Sequence, residues 1–165
     1  MVNKEQRVGV FVDVQNMYYS ARALHDSKVN FKEILREAVN GRKLVRAIAY
    51  AVKAGEKDEG SFYTALEKIG FEVKLKDLQV FYGGNKKADW DVGLAIDAIE
   101  LSPKLDVVIL VSGDGDYIPL VEHLKRAMGC RVEVLAFGRS CSSKLKETAD
   151  EFVDLDSRKF ILSKK

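Results

Sequence analysis

Residues 107–111 read Val-Val-Ile-Leu-Val, an unbroken apolar and mostly β-branched run. A strand covered on both faces loses the polar–apolar alternation of a half-exposed one, so this run predicts a strand inside a parallel sheet. Tyr117, Val121, Leu124 and Met128 then recur at helical spacing, which predicts a helix directly after it. The connection is Val111-Ser112-Gly113-Asp114-Gly115-Asp116-Tyr117. It puts two aspartates at the carboxyl end of a central strand, the edge at which open α/β sheets bind ligands. The structural alternative is that Asp116 caps the helix, with Pro119 tolerated in its first turn. Capping needs one carboxylate and leaves Asp114, between two glycines, unexplained.

The remainder of the chain alternates in the same way. Arg7 to Val12 predicts a first strand ending at Asp13, and Val14-Gln15-Asn16 opens a helix. Residues 31–39 predict a short helix with Asn30 as N-cap and Glu33 completing a capping box. Residues 43–52 form a second strand. Phe62, Leu66 and Ile69 give a helical stripe ended by Gly70. The alternating stretch from Phe71 to Leu75 is a third strand near an edge, and residues 78–82 extend it or form a hairpin arm. Gly83 to Ala88 is a flexible basic loop, and a helix runs from Asp89 to about Leu101, before Pro103. After the fourth strand and its helix (116–128) come a fifth strand at 131–137, a short helix at 142–149, a short last strand at 152–155 and a terminal helix at 157–162. Strand–helix alternation predicts a doubly wound parallel α/β domain. One domain over 1–165 is expected, with a core of about 7–137 and a helical and strand extension over 138–165.

Net charge sets a limit on function. With 27 Lys and Arg against 25 Asp and Glu, the balance is +2, so only a local patch can serve nucleic acid. Cys130 and Cys141 form no metal-spaced pair and are expected as free thiols in a reducing cytosol. The first apolar run is broken by Asp13, unlike a signal peptide, and no segment reaches the about 18 apolar residues of a membrane span. A soluble, cytoplasmic protein without membrane partners is expected.

Candidate chemistry concentrates on carboxylates. If the sheet order is 3-2-1-4-5, strands one and four are neighbours at the switch point, and Asp13, Asp114 and Asp116 share one rim. On a helical wheel of ~100° per residue, Asp91 falls among Leu94, Ala95 and Ala98 on the core side, while Asp97 lies on the polar stripe with Gly93 and Glu100. Asp91 either favours the helix dipole or is aimed at the cleft; Asp97 is expected in solvent or in support, and Asp89 is available as N-cap. Converging carboxylates repel unless a cation is present, and hard cations such as Mg²⁺ or Mn²⁺ take oxygen ligands. Asn16 and Ser112 can add oxygens or orient water, and such a site suits phosphoryl transfer. His25, in a loop, and His123, on a helix, are expected at the surface without partners. Ser140, Ser142 and Ser143 have no base at recognisable spacing, and no phosphate-cradling glycine loop is present.

Three motifs resemble those of the NYN domains, a PIN-like nuclease group with LabA-like members. They are residues 11–16, Phe-Val-Asp-Val-Gln-Asn; residues 87–97, from Lys87 through Asp89 and Asp91 to Asp97; and residues 111–117, continued by Pro119-Leu120-Val121. The resemblance covers about residues 7–137. It implies a PIN-like Rossmannoid three-layer sandwich with a central parallel sheet of order 3-2-1-4-5, and a metal-dependent ribonuclease centre. By position, its acidic residues fall on Asp13, Asp91, Asp114 and Asp116, with Asn16 beside the first. The doublet Asp89/Asp91 makes the second position ambiguous, and the wheel favours Asp91.

The leading expectation is therefore an Mg²⁺- or Mn²⁺-dependent nuclease acting on RNA, single-stranded in the first instance. Lys86 and Lys87, with Arg139 and Lys144, are candidates for phosphate contacts, and Tyr18, Tyr82 or Tyr117 for base stacking; for each, a solvated or packing role is the alternative. A non-catalytic RNA-binding or regulatory module that keeps the acidic site is the second reading. A receiver or aspartyl phosphatase ranks last, because strand three ends at Leu75-Lys76-Asp77 and Gln15 stands where such a phosphatase needs an aspartate. A homodimer stays open.

Overall fold

Six strands lie side by side, all parallel, in the order β3-β2-β1-β6-β7-β8. They are β1 (Arg7–Asp13), β2 (Lys43–Lys53), β3 (Glu72–Asp77), β6 (Val107–Val111), β7 (Arg131–Ala136) and β8 (Glu151–Asp154). The computed structural model describes residues 2–55, 57–80, 83, 86–87 and 89–163. Counted within the sheet alone, the order is 3-2-1-4-5-6: the expected five strands, with the last short strand added at the edge.

Helices cover both faces. Helices α1 (Val14–His25), α2 (Phe31–Val39) and α3 (Glu59–Ile69) pack Met17, Ile34 and Leu66 against one face of the sheet. Helices α4 (Asp91–Leu101), α5 (Ile118–Arg126) and α6 (Ser143–Thr148) pack Leu94, Val121, Leu124 and Leu145 against the other. The apolar run of β6 has its reason here. Val107, Ile109 and Val111 enter the first layer and Val108 and Leu110 the second, so every position is buried.

The predicted caps form where the side chains allow. Asn30 accepts from the Glu33 amide at 3.3 Å, and Gly70 ends α3 with φ +127°. The expected capping box is not closed: the Asn30 amide donates to the Phe160 carbonyl at 2.8 Å, and the Glu33 carboxylate pairs with Arg36 at 3.1 Å. Three further expectations are corrected. Residues 157–162 do not form a helix; Arg158–Phe160 is a single 3₁₀ turn. The helix expected from 116 begins as a 3₁₀ turn over Gly115–Tyr117 and becomes α5 only at Ile118. The basic stretch contains a strand: β5 (Lys86–Lys87) pairs antiparallel with β4 (Gln79–Val80), so Gln79 and Val80 form a hairpin arm. Tyr82, Gly84, Asn85 and Ala88 lie outside the described residues. Among the described residues, no helix is long and apolar enough to cross a membrane.

Candidate metal centre

β1 and β6 are neighbours in register, Val12 against Val111, so the residues that follow them, Asp13 and Ser112, leave the sheet together. The chain turns away from β1 into α1 on one face and from β6 into α5 on the other, which opens the crevice of a switch point.

Asp13 is only 9 % exposed and is held on both oxygens. Oδ1 accepts from the Asn16 amide at 3.2 Å, which makes Asp13 the N-cap of α1. Oδ2 accepts from Ser112 Oγ and from the Tyr117 hydroxyl, each at 3.3 Å. Ser112 is fully buried; its hydroxyl also accepts from the Asp114 amide at 3.2 Å and so ties the two aspartates to one atom. Asn16 Oδ1 accepts from the Gly113 amide at 2.9 Å, joining α1 to the loop after β6. A Cβ at Gly113 would stand 3.0 Å from Cys141 Cα, so glycine lets the loop pass against backbone.

Asp91 comes from the first turn of α4. Trp90 anchors that turn, donating from Nε1 to the Ala51 carbonyl at 2.8 Å, with its ring 2.7 Å from where a Gly93 Cβ would be. Carboxylate oxygens of Asp13, Asp91 and Asp114 all lie within 4.8 Å of one another. Oxygens on one octahedral Mg²⁺ stand about 2.1 Å from the ion, hence at most about 4.2 Å apart. A small contraction would close this all-oxygen set on a hard cation, so the residues present fit one.

Electrostatics agree with that fit. Burial pushes the Asp13 carboxyl up to about 6 against the pull of its Asn16 and Ser112 bonds, and the charges of Asp91 and Asp114 push the same way. Partial burial raises Asp91 too, the Tyr117 hydroxyl opposes this, and Asp114, Asp89 and Asp116 add to it. The ion pairs formed among the described residues all lie elsewhere. Since the folded-state pKa of Asp13 exceeds its ordinary 3.8, the metal-free protein should lose stability as pH rises from about 4 through 6 and stay at the lower level above that. The loss is on the order of 3 kcal/mol. Thermal melts in EDTA across that range measure it, and Asp13→Asn should flatten the slope.

The remaining sequence candidates are placed as follows. Asp116 is exposed and stands outside the three-carboxylate set; it lines, with Asp91, a groove of about 390 Å³ between α4 and α5. The turn is capped by Asp114, whose Oδ1 accepts from the Asp116 amide at 2.9 Å, and not by Asp116. Asp89 is exposed and accepts from the Asp91 amide. Asp97 is turned away from the cluster, accepting from the Tyr50 hydroxyl at 2.8 Å and from Lys74 Nζ at 2.6 Å. The backbone of Lys86 and Lys87 lies in the hairpin. Arg139 pairs with Asp156, and Lys144 is exposed on α6. His25 corrects an expectation: it closes α1, and its Nε2 meets Asp156 Oδ1 at 2.8 Å with little exposure. Tyr117 is buried, so it cannot stack a base; sequence reasoning missed its contact with Asp13, for which a hydroxyl at a core-facing position beside an acidic loop was the available sign.

Comparison with known proteins gives the family. The NYN domain family matches residues 7–156. The chain belongs to the NYN family. The match runs past residue 137 and takes in the edge strand β8. Among its relatives, the low amplitude and bright protein LabA of Synechococcus elongatus is 29% identical over 170 aligned residues, covering 98% of this chain and 90% of LabA. A crystal structure of a protein of unknown function from Vibrio parahaemolyticus superposes with a TM-score of 0.90 at 37% identity, over 98% of this chain and 99% of that one. An NYN chain of the PIN-like nuclease group thus carries a cluster of three acidic residues at the sheet's carboxyl edge.

Proposed function

We propose that this NYN protein is a cytoplasmic ribonuclease that hydrolyses phosphodiester bonds of single-stranded RNA with Mg²⁺ or Mn²⁺ held by Asp13, Asp91 and Asp114. The observation that carries the reading is the convergence of three carboxylates, one mostly buried with a raised pKa and none neutralised by a neighbouring cation among the described residues. Such an arrangement costs stability by itself and is relieved by a bound cation. When bound, the cation polarises the phosphodiester and supplies hydroxide near neutral pH. The protein's own contribution is positional. Ser112 and Tyr117 hold Asp13, the turn amide of Asp116 holds Asp114, and Trp90 fixes the start of α4 beneath Asp91. Asp116, exposed at the rim, is the carboxylate left to accept a proton from the attacking water. Asn16 faces the same opening, and Lys86 and Lys87 are the candidate contacts for flanking phosphates.

The test is incubation of a labelled single-stranded RNA with the purified chain in Mn²⁺, in Mg²⁺ and in EDTA. Cleavage with either metal and none in EDTA is expected. Binding without cleavage in any of the three overturns the enzymatic reading in favour of a non-catalytic RNA-binding module. Exchanging Lys86 and Lys87 for Gln should lower the log–log salt slope of binding by about one unit per lost phosphate contact.

A further inference from the structure

Helix α1 begins at the metal centre and carries an unusual surface. At ~100° per residue, Gln15, Tyr18, Tyr19 and Arg22 share one side. Tyr18 is 43 % and Tyr19 59 % exposed, and their rings meet edge-on at 5.5 Å and 75°. Two adjacent exposed tyrosines bring large apolar faces into water, and they add nothing to the core beneath α1, which Val14, Met17 and Ala21 supply. Arg22 reaches back one turn and donates from Nη1 to the Tyr18 hydroxyl at 3.0 Å, so the guanidinium is held beside the ring. Below them opens a cleft of about 540 Å³ lined by Tyr18, Arg22, Asp26, Ser27, Lys28 and Leu162.

Two features of the cleft, its size and its charge, bear on what it can hold. Its volume lies within the range of about 300–1,000 Å³ that holds small ligands. Two cations against one carboxylate leave it net positive, in contrast to the acidic rim at the start of the same helix. Aromatic faces interleaved with Arg and Lys are the means by which proteins hold single strands without reading sequence: bases stack on the rings and phosphates meet the charges. A folded protein partner would want a broader apolar patch with a dry centre. With a rise of about 1.5 Å per residue, Arg22 stands roughly 9 Å along α1 from Asn16, whose side chain bonds the loop that carries Asp114.

We infer that the face of α1 formed by Tyr18, Tyr19 and Arg22, with Lys28 in the cleft below, is a second RNA subsite that holds the unpaired nucleotides next to the scissile phosphate. The inference rests on the ribonuclease reading above and adds where the strand runs and which residues grip it. Tyr19 supplies a stacking face, Tyr18 supplies a second and orients Arg22, and Arg22 and Lys28 pair with phosphates. Sequence-independent binding and a marked salt dependence follow from that division of roles.

The experiment is a fluorescence-anisotropy titration of the full chain with a labelled oligouridylate in EDTA, where no cleavage can occur, over a series of salt concentrations. Tyr19→Ala should weaken binding by about fivefold or more, and Tyr19→Phe, which keeps the ring, should restore it. Arg22→Gln and Lys28→Gln should each lower the salt slope by about one unit. Thermal melts of the four variants should match the parent, because all three side chains are exposed. If the parent binds and cleaves RNA while the variants bind with unchanged affinity and slope, the subsite is refuted and the ribonuclease reading stands. If the parent neither binds nor cleaves RNA, both are refuted. Equal losses in Tyr19→Ala and Tyr19→Phe would also overturn the stacking role.

Discussion

Asp114→Asn is expected to abolish most Mn²⁺-dependent RNA cleavage while leaving the metal-free protein at least as stable as the parent. Asn keeps the shape, and its side-chain oxygen can still accept from the Asp116 amide, as Asp114 does at 2.9 Å. What is lost is one of three negative charges whose oxygens lie within 4.8 Å of one another. In EDTA that removes repulsion from Asp13 and Asp91, both of whose pKa values Asp114 helps to raise. In Mn²⁺ it removes a ligand. At free metal of ~100 times the dissociation constant the parent should gain about 2.7 kcal/mol. That corresponds to roughly 5–10 °C in melting temperature for a chain of this size, and the variant should gain little of it. Cleavage falls by orders of magnitude because the group that supplies the nucleophile is misplaced or absent. Paired melts with EDTA and with Mn²⁺, beside a cleavage assay, separate this from a turn role for Asp114. If it were only a turn residue, Mn²⁺ would leave the parent's melting temperature unmoved and the Asn variant would cleave as well as the parent.

Arg42→Met is expected to be the most destabilising single change at the opposite edge of the sheet. Arg42 and Glu133 are 5 % and 7 % exposed at their side chains and meet through two bonds, Nη2 to Oε1 at 2.8 Å and Nη1 to Oε2 at 2.9 Å. Arg42 also donates to the carbonyls of Ala38 and Val39, satisfying the end of α2. Burial works to raise the Glu133 pKa, and the bonds from Arg42 and Arg131 outweigh it, so the carboxyl stays lowered and ionised. Removing the arginine strands a buried charge that Arg131 holds from one side only, at 3.0 Å. Breaking such a pair costs about 3–5 kcal/mol, read as a fall in melting temperature of roughly 10 °C. The double variant Arg42→Met with Glu133→Leu should recover a large part, since no charge is then left unpaired. Because the Glu133 pKa is lowered, its contribution is present above its ordinary 4.5 and lost as pH falls through the folded value, so the parent should be acid-sensitive there and the double variant less so. The pair is remote from the carboxylate cluster, so a single variant that melts like the parent would show that this pair does not hold the sheet edge.

The sequence by itself determined most of the elements and named the three acids that meet, Asp13, Asp91 and Asp114, together with a fourth, Asp116, that stands outside the set. The run at 107–111 announced a strand buried on both sides because burial erases alternation, and Gly70 and Asn30 marked helix ends because their chemistry is local. The spacing of Asp91 from Leu94 and Ala98 already placed it on the core side of its helix, since a helix has a fixed period. Tertiary structure alone decided what depends on distant residues meeting. Periodicity carries no strand order: the order 3-2-1-4-5 is implied by the motif resemblance alone, and the register of β1 against β6 is what brings Asp13 to Asp114. Along the chain the capping role falls to Asp116; the backbone of the 3₁₀ turn gives it to Asp114. The helical wheel puts Asp97 on the polar stripe, in solvent or in support; in the fold it meets Tyr50 and Lys74 because β2 and β3 pass beneath α4. His25 found Asp156 across 131 residues, and Tyr117 found Asp13 across 104. Such contacts are legible only after folding, because hydrogen bonds and ion pairs act over a few ångströms and the sequence places their partners a hundred residues apart.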